Sequence, residues 1–270
     1  MKMPKEIIVI AGAPRSGTSW LAQIIDSCPN VRHRFQPIFS FAFKNAVNRN
    51  STKDDFNQFF TGIYNSDDEF MCRTKEIKEG IYPTFSKNKS PEILAFKNVR
   101  YHYLLEKMLQ NFDNLKVVGI VRHPCAVINS WITTPREFPA NADPMEEWKN
   151  AECRNTGPEE YWGFEKWKEV SFLFLDLKEK FPEQFCLLKY SDLVDDSIKI
   201  TEEMFKFLNL EYSDQTNDFL ISCHKKHDEN SYSVFKDKSV KVKWKGELCE
   251  EIQEDIFKEI KGSKLKDFMK

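Results

Sequence analysis

At 270 residues, 41% of them hydrophobic, the chain is long enough to bury a large core in a single domain. Its 40 basic and 42 acidic residues nearly cancel to a formal charge of −2, which argues against a general nucleic-acid binder but leaves room for a local basic pocket. The 7 cysteines are odd in number, widely spaced and without a C-x-x-C pair, so neither a disulfide framework nor a zinc site is suggested, and buried thiols in a cytoplasmic protein are expected. The apolar run 7–11 is too short for a signal peptide, and no other stretch approaches the roughly 20 apolar residues that would span a membrane.

In chain order, Ile7-Ile8-Val9-Ile10-Ala11 is a continuous, largely β-branched run and predicts a strand buried on both faces of a parallel sheet. A tight loop from Gly12 to Gly17 follows, then a helix over 18–27 that ends at the Cys28-Pro29-Asn30 turn. Residues 31–35 read as a short strand. Residues 36–90 are rich in Phe, Asn, Lys and Asp with weak periodicity; they read as short helices and loops over the sheet, where an acceptor would be recognised. Strands are expected at 93–97, 116–121 and 184–189, separated by helical patterns near 99–112, 124–133 and 159–181. The C-terminal part reads as helices near 194–208, 215–225 and 247–261, with a basic, aromatic loop at 231–245. Alternating strands and helices predict an α/β fold with a central parallel β-sheet flanked by helices. No repeat or linker interrupts 1–270, so one domain is expected. Most of the 23 Phe belong to its core.

The strongest chemical signal is Gly12-Ala13-Pro14-Arg15-Ser16-Gly17-Thr18-Ser19-Trp20, placed between strand and helix. Such a turn aims backbone N–H groups and the positive helix end at an anion. Gly17 admits close approach, and Arg15, Thr18 and Ser19 add donors. Gly12 and Gly17 have the spacing of G-x-x-x-x-G-K-[ST], but Thr18 stands where the lysine of a nucleotide triphosphatase belongs. With the cation moved back to Arg15, the loop suits a single 5′-phosphate bearing a leaving group.

Pro14-Arg15-Ser16-Gly17-Thr18-Ser19-Trp20-Leu21 resembles the 5′-phosphosulfate loop of the sulfotransferases that use 3′-phosphoadenosine 5′-phosphosulfate (PAPS), P-[KR]-S-G-T-[ST]-W-L. The resemblance implies a P-loop-like three-layer fold, and that Arg15, Ser16, Gly17, Thr18 and Ser19 hold the phosphosulfate. Trp20 either stacks on the adenine or packs in the core. Arg122-His123-Pro124 followed by Ser130 is a strand-end cation before a helix opened by Pro. It is similar to the family's 3′-phosphate motif, [LIV]-x-R-x-P-x(5)-S, and implies that Arg122 and Ser130 bind that phosphate. Tyr190-Ser191-Asp192-Leu193 looks like the family's Y-x-D-L, with Tyr190 either near the nucleotide or simply packed. Counting back from Trp244-Lys245, Phe235 and Lys238 match the family's third contact. Asp237 and Ser239 replace its Arg and Gly, leaving Lys236, Lys241 or Lys243 as substitutes.

For catalysis, the resemblance implies that Lys97 touches the sulfuryl or bridging oxygen and that Arg15 stabilises the moving group. The base departs from the family. Val99 occupies the position of the usual His, and Gln36, before Pro37, that of the usual Glu. His33 is the leading candidate, ahead of His102 and His123. The expected activity is sulfuryl transfer from PAPS to a hydroxyl or amine of a small-molecule or carbohydrate acceptor, releasing 3′-phosphoadenosine 5′-phosphate (PAP), without a metal. The alternatives are a P-loop nucleotide or small-molecule kinase and a non-catalytic nucleotide-binding relative.

Overall fold

The computed structural model describes residues 2–225 and 238–269, with the backbone alone for 224–225 and 238–239. Five strands, β1 (Glu6–Ala11), β2 (Val31–Arg34), β3 (Ile93–Asn98), β4 (Leu115–Val121) and β5 (Phe185–Lys189), form one parallel sheet in the order β2-β3-β1-β4-β5. Every expected strand is present within a residue or so of its expected ends. Side chains alternate across the sheet, so β1, β3, β4 and β5 each feed two cores. Ile7, Val9, Leu94, Phe96 and Val117 enter one; Ile8, Ile10, Ile93, Ala95, Val118 and Ile120 enter the other.

The helices are α1 (Thr18–Asp26), α2 (Lys53–Asn65), α3 (Glu69–Cys72), α4 (Thr74–Lys78), α5 (Leu105–Asn111), α6 (Pro124–Ile132) and α7 (Pro144–Glu147). They continue with α8 (Gly163–Lys180), α9 (Tyr190–Asp195), α10 (Ser197–Leu208), α11 (Asp214–Lys225), α12 (Trp244–Glu247) and α13 (Glu250–Ile260). The first core is covered by α2, α5, α6, α8 and α13; the second by α1, α9, α10 and α11. The result is the expected three-layer α/β architecture. None of the described helices is long and apolar enough to cross a membrane.

The expectation of only short helices and loops over 36–90 is corrected by α2. Thr52 caps it with a capping box closed by Asp55, and Phe56, Phe59, Phe60 and Ile63 recur at helical spacing on the buried face. Its last carbonyls are met by buried Arg34, whose Nε donates to Ile63 O at 2.8 Å and Nη2 to Ser66 O at 2.7 Å. The helix expected over 99–112 resolves into a 3-10 turn, His102–Leu104, followed by α5. The one expected over 194–208 breaks at Asp196, whose side chain accepts from Lys199 N at 3.1 Å and starts α10.

Register sets the position of the site. Ala11, the last residue of β1, lies beside Asn98 of β3 on one side and Gly119 of β4 on the other. Lys97 and Arg122 therefore end the two strands that flank the loop after β1, around the point where the chain direction switches across the sheet.

Candidate active site

Close packing shapes the loop between β1 and α1. A Cβ on Gly12 would lie 2.7 Å from Thr18 Cγ2 and 2.9 Å from Ile120 O, so glycine lets the first turn of α1 sit against β4. The Ser16 N–H closes the turn onto Ala13 O at 3.1 Å. Arg15 (φ 69°) and Gly17 (φ 92°) both take left-handed backbone. Gly17 is the N-cap of α1 with no side chain capping that end. The first-turn amides of Thr18, Ser19 and Trp20 lack intrahelical acceptors by geometry, and together with the helix dipole they form an anion cradle. A Cβ on Gly17 would come within 2.5 Å of the Tyr190 ring, so Tyr190 forms the wall of this cradle.

The loop opens into a cavity of about 900 Å³. Arg15, Gly17, Thr18, Ser19, Trp20, Lys97, Arg122, Ser130 and Tyr190 all line it, so the two predicted phosphate anchors and the predicted catalytic lysine share one space. Arg122 donates from Nη1 to Arg15 O (3.1 Å) and from Nη2 to Val240 O (2.9 Å), with its guanidinium 4.8 Å from the Tyr190 ring centroid. Burial pushes its pKa below the ordinary value, and its buried Nε has no hydrogen-bond partner. A desolvated cation held by neutral carbonyls and a ring favours an anionic ligand. Ser130 Oγ accepts from Arg15 Nε at 3.1 Å and so ties the two anchors together. Trp20 meets Tyr190 edge-on at 6.1 Å and is mostly buried in the second core, so it packs there while also lining the cavity.

Lys97 is 6% exposed; its Nζ donates to Ser19 Oγ at 2.7 Å and lies 4.6 Å from the Phe35 ring centroid. Burial lowers its pKa to about 7; Glu137 opposes the shift, and Arg15 and Arg73 reinforce it. Glu137, which the sequence reading missed, follows α6 and lines the same cavity with Oε2 3.3 Å from Arg15 Nη1. Its backbone is fixed: Glu137 N donates to Thr134 O (2.9 Å), and its carbonyl accepts from buried Trp131 Nε1 (3.2 Å). The only local signal was a charged pair, Arg136-Glu137, soon after α6.

Other expectations are corrected. Ser16 is fully buried and does not line the cavity. His33 lines a second cavity of about 340 Å³ with Asp26, Asp67, Cys72 and Lys87. It pairs with Ala95, two residues short of Lys97, on the edge strand beside the second half of α1, away from the loop. Arg73 and Tyr82 line both cavities and stand between them. Burial lowers the His33 pKa to about 4. His102 is buried edge-on to Tyr161, and His123 stacks on Trp244 at 4.5 Å; neither lines the larger cavity. Val99 and Gln36 do line it, at the two positions where the family's usual bases would stand. Phe235 and Lys236 lie outside the described residues, as does the Lys238 side chain. Of the substitutes considered, Lys241 is paired with Asp195 at 2.6 Å, whereas Lys243 lines the cavity.

A family model described as a sulfotransferase family matches residues 7–214. No curated protein matches the chain in sequence. Among solved structures, mouse sulfotransferase SULT7A1 complexed with PAP is similar at TM-score 0.58 and 15% identity, covering 100% of this chain and 88% of that one. Retinol dehydratase in complex with androsterone and the inactive cofactor PAP is similar at 0.56 and 16%, covering 99% and 82%. The sulfotransferase domain from the curacin biosynthetic pathway is similar at 0.52 and 17%, covering 97% and 99%. At these identities the likeness shows a shared fold. The kinase alternative is not favoured: Thr18, in the lysine position, is buried with its methyl against Gly12. The family match spans the loop, Lys97, Arg122 and Tyr190, the residues that the fold gathers around one cavity, and the chain belongs to the sulfotransferase family.

Proposed function

We propose that the protein transfers the sulfuryl group of PAPS to a hydroxyl or amine of a small-molecule or carbohydrate acceptor and releases PAP. The observation that carries this reading is the opening of Arg15 and buried Arg122 into one cavity beside a glycine cradle. PAPS supplies an activated sulfuryl group on a phosphate leaving group. Arg122 would take the 3′-phosphate; the α1 amides, Thr18, Ser19 and Arg15 would take the 5′-phosphosulfate; Trp20 and Tyr190 would flank the nucleoside. Lys97 neutralises the bridging oxygen as its bond to sulfur breaks and the electron pair leaves with PAP. Glu137 accepts the acceptor's proton as the new bond to sulfur forms. Phosphosulfate bound to Arg15 competes with Glu137 for the guanidinium, which frees the carboxylate for this role.

Thermal shift tests the nucleotide assignment. PAP at 100 times its dissociation constant adds about 2.7 kcal/mol to stability. Arg122→Ala removes charged hydrogen bonds of about 1.5–3 kcal/mol in total and is expected to weaken PAP roughly 10- to 150-fold. A shift with ATP and magnesium but none with PAP would overturn the reading.

Lys97 provides a proton-linked test. With its pKa near 7, the amine is mostly neutral above pH 7, and a bound anion raises that pKa. PAP binding between pH 7.5 and 8.5 is therefore expected to take up a proton, measured by calorimetry in two buffers of different ionisation enthalpy. Lys97→Met should abolish the uptake. Equal uptake by the variant would remove Lys97 from the phosphosulfate end.

A further inference from the structure

The cavity gathers more arginines than the proposed donor contacts use. Among the described residues, eight cationic side chains and two carboxylates, Glu137 and Glu247, line it. Arg15, Lys97, Arg122 and Lys243 belong to the loop, its flanking strand ends and the segment beside α12. Glu247 already pairs with Lys243 at 3.2 Å and accepts from Asn129 Nδ2 at 2.9 Å. The other four, Arg73, Arg100, Arg136 and Arg154, come from separate segments and line the same cavity, as do Phe35, Phe39 and Trp162.

Three of these arginines are posed in a common way. The guanidinium carbon of Arg73 lies 4.2 Å from the Phe35 ring centroid, that of Arg100 3.9 Å from Phe39 and that of Arg154 5.3 Å from Trp162. An aromatic face under a guanidinium fixes its plane and leaves the edge of the fork to meet an oxyanion. Arg73 and Arg100 each have a carboxylate partner, Glu76 at 2.5 Å and Glu160 at 3.1 Å, but neither carboxylate lines the cavity. The buried Nε–H groups of Arg73 and Arg154 have no hydrogen-bond partner. Arg136 is exposed at the rim. A PAPS molecule brings roughly four negative charges, since each phosphate monoester carries about −1.5 to −2 and the phosphosulfate roughly two more. Glu76 and Glu160 offset two of the four arginine charges, but the unsatisfied Nε–H groups of Arg73 and Arg154 are costly in a partly desolvated cavity unless the second substrate meets them.

We infer that the acceptor is itself an anion: a hydroxyl or amine compound that also bears a carboxylate, phosphate or sulfate group, gripped by Arg73, Arg100, Arg136 and Arg154. The arginines select the charged group, and Glu137, at the boundary with Arg15, meets the group to be sulfated. This inference rests on the PAPS reading, because the nucleotide must occupy the other cations.

The test uses the full chain saturated with PAP and titrated calorimetrically with matched pairs: glucuronate against glucose, 4-hydroxyphenylacetate against its amide, and glucose 6-phosphate against glucose. PAP binding is measured first. If PAP does not bind, the donor assignment fails and this inference falls with it. If PAP binds, at least one anionic member should bind about 10-fold or more tightly than its neutral partner. The carboxylate and phosphate arms then show which oxyanion is preferred. Arg154→Gln and Arg136→Gln should each reduce that preference severalfold while leaving PAP affinity unchanged, which also shows that both variants fold. Equal affinities within every pair, no anion bound by the PAP complex, or a preference untouched by either substitution would overturn the anionic acceptor while leaving the PAPS assignment standing.

Discussion

Replacing Glu137 by Gln is expected to lower kcat roughly 10²- to 10⁴-fold while PAP binds as tightly as before or tighter, because a positioned general base contributes about that much. Gln preserves the shape of the side chain and can still accept a hydrogen bond from Arg15, 3.3 Å away in the native protein, but it cannot hold the acceptor's proton. A carboxylate that shares Arg15 with the donor also opposes donor binding, so removing its charge should not weaken PAP. The measurement is PAP formation under saturating PAPS, with PAP affinity determined separately. His33→Ala is the control. His33 opens into the other cavity and should turn over near the native rate. An inactive His33→Ala beside an active Glu137→Gln would restore the histidine expected from the sequence.

The second large effect is expected at Gly17. Alanine there must hold φ near 92°, in left-handed space that costs an L-residue roughly 1–2 kcal/mol. Its Cβ would also lie 2.5 Å from two carbons of the Tyr190 ring, an overpacking of about 1–3 kcal/mol. Together these amount to about 2–5 kcal/mol, divided between lower stability and a displaced anion cradle. Where the cost falls on the cradle, PAP affinity drops at least about 30-fold. Unliganded Tm and PAP affinity, measured together, capture both parts. Adding Tyr190→Ala should recover the steric part and leave the backbone part. A Gly17→Ala protein with native Tm and native PAP affinity would show that the loop is not a rigid cradle.

How much of this was legible follows from where each signal lies along the chain. The strands were readable because a strand buried on both faces is written as a short apolar run, and 7–11 and 116–121 are such runs. The loop after β1 was readable because its turn, its glycine and its helix start are neighbours in sequence. Helix α2 was also written locally, in Thr52, Asp55 and the spacing of Phe56, Phe59, Phe60 and Ile63. It was overlooked because the surrounding polar residues diluted its periodicity.

By itself, then, the sequence determined the parallel α/β architecture, the anion loop and the strand-end cations Lys97 and Arg122. All of these follow from contacts between residues only a few positions apart, or from strand ends that a parallel sheet must bring to one edge. Only the tertiary structure decided that Glu137 meets Arg15, that Ser16 turns inward, that His33 faces a different cavity, and that four arginines from distant segments line the same cavity as the loop. Those outcomes depend on strand order, on which face of an edge strand a side chain takes, and on long loop closures, and no short stretch of residues encodes any of the three.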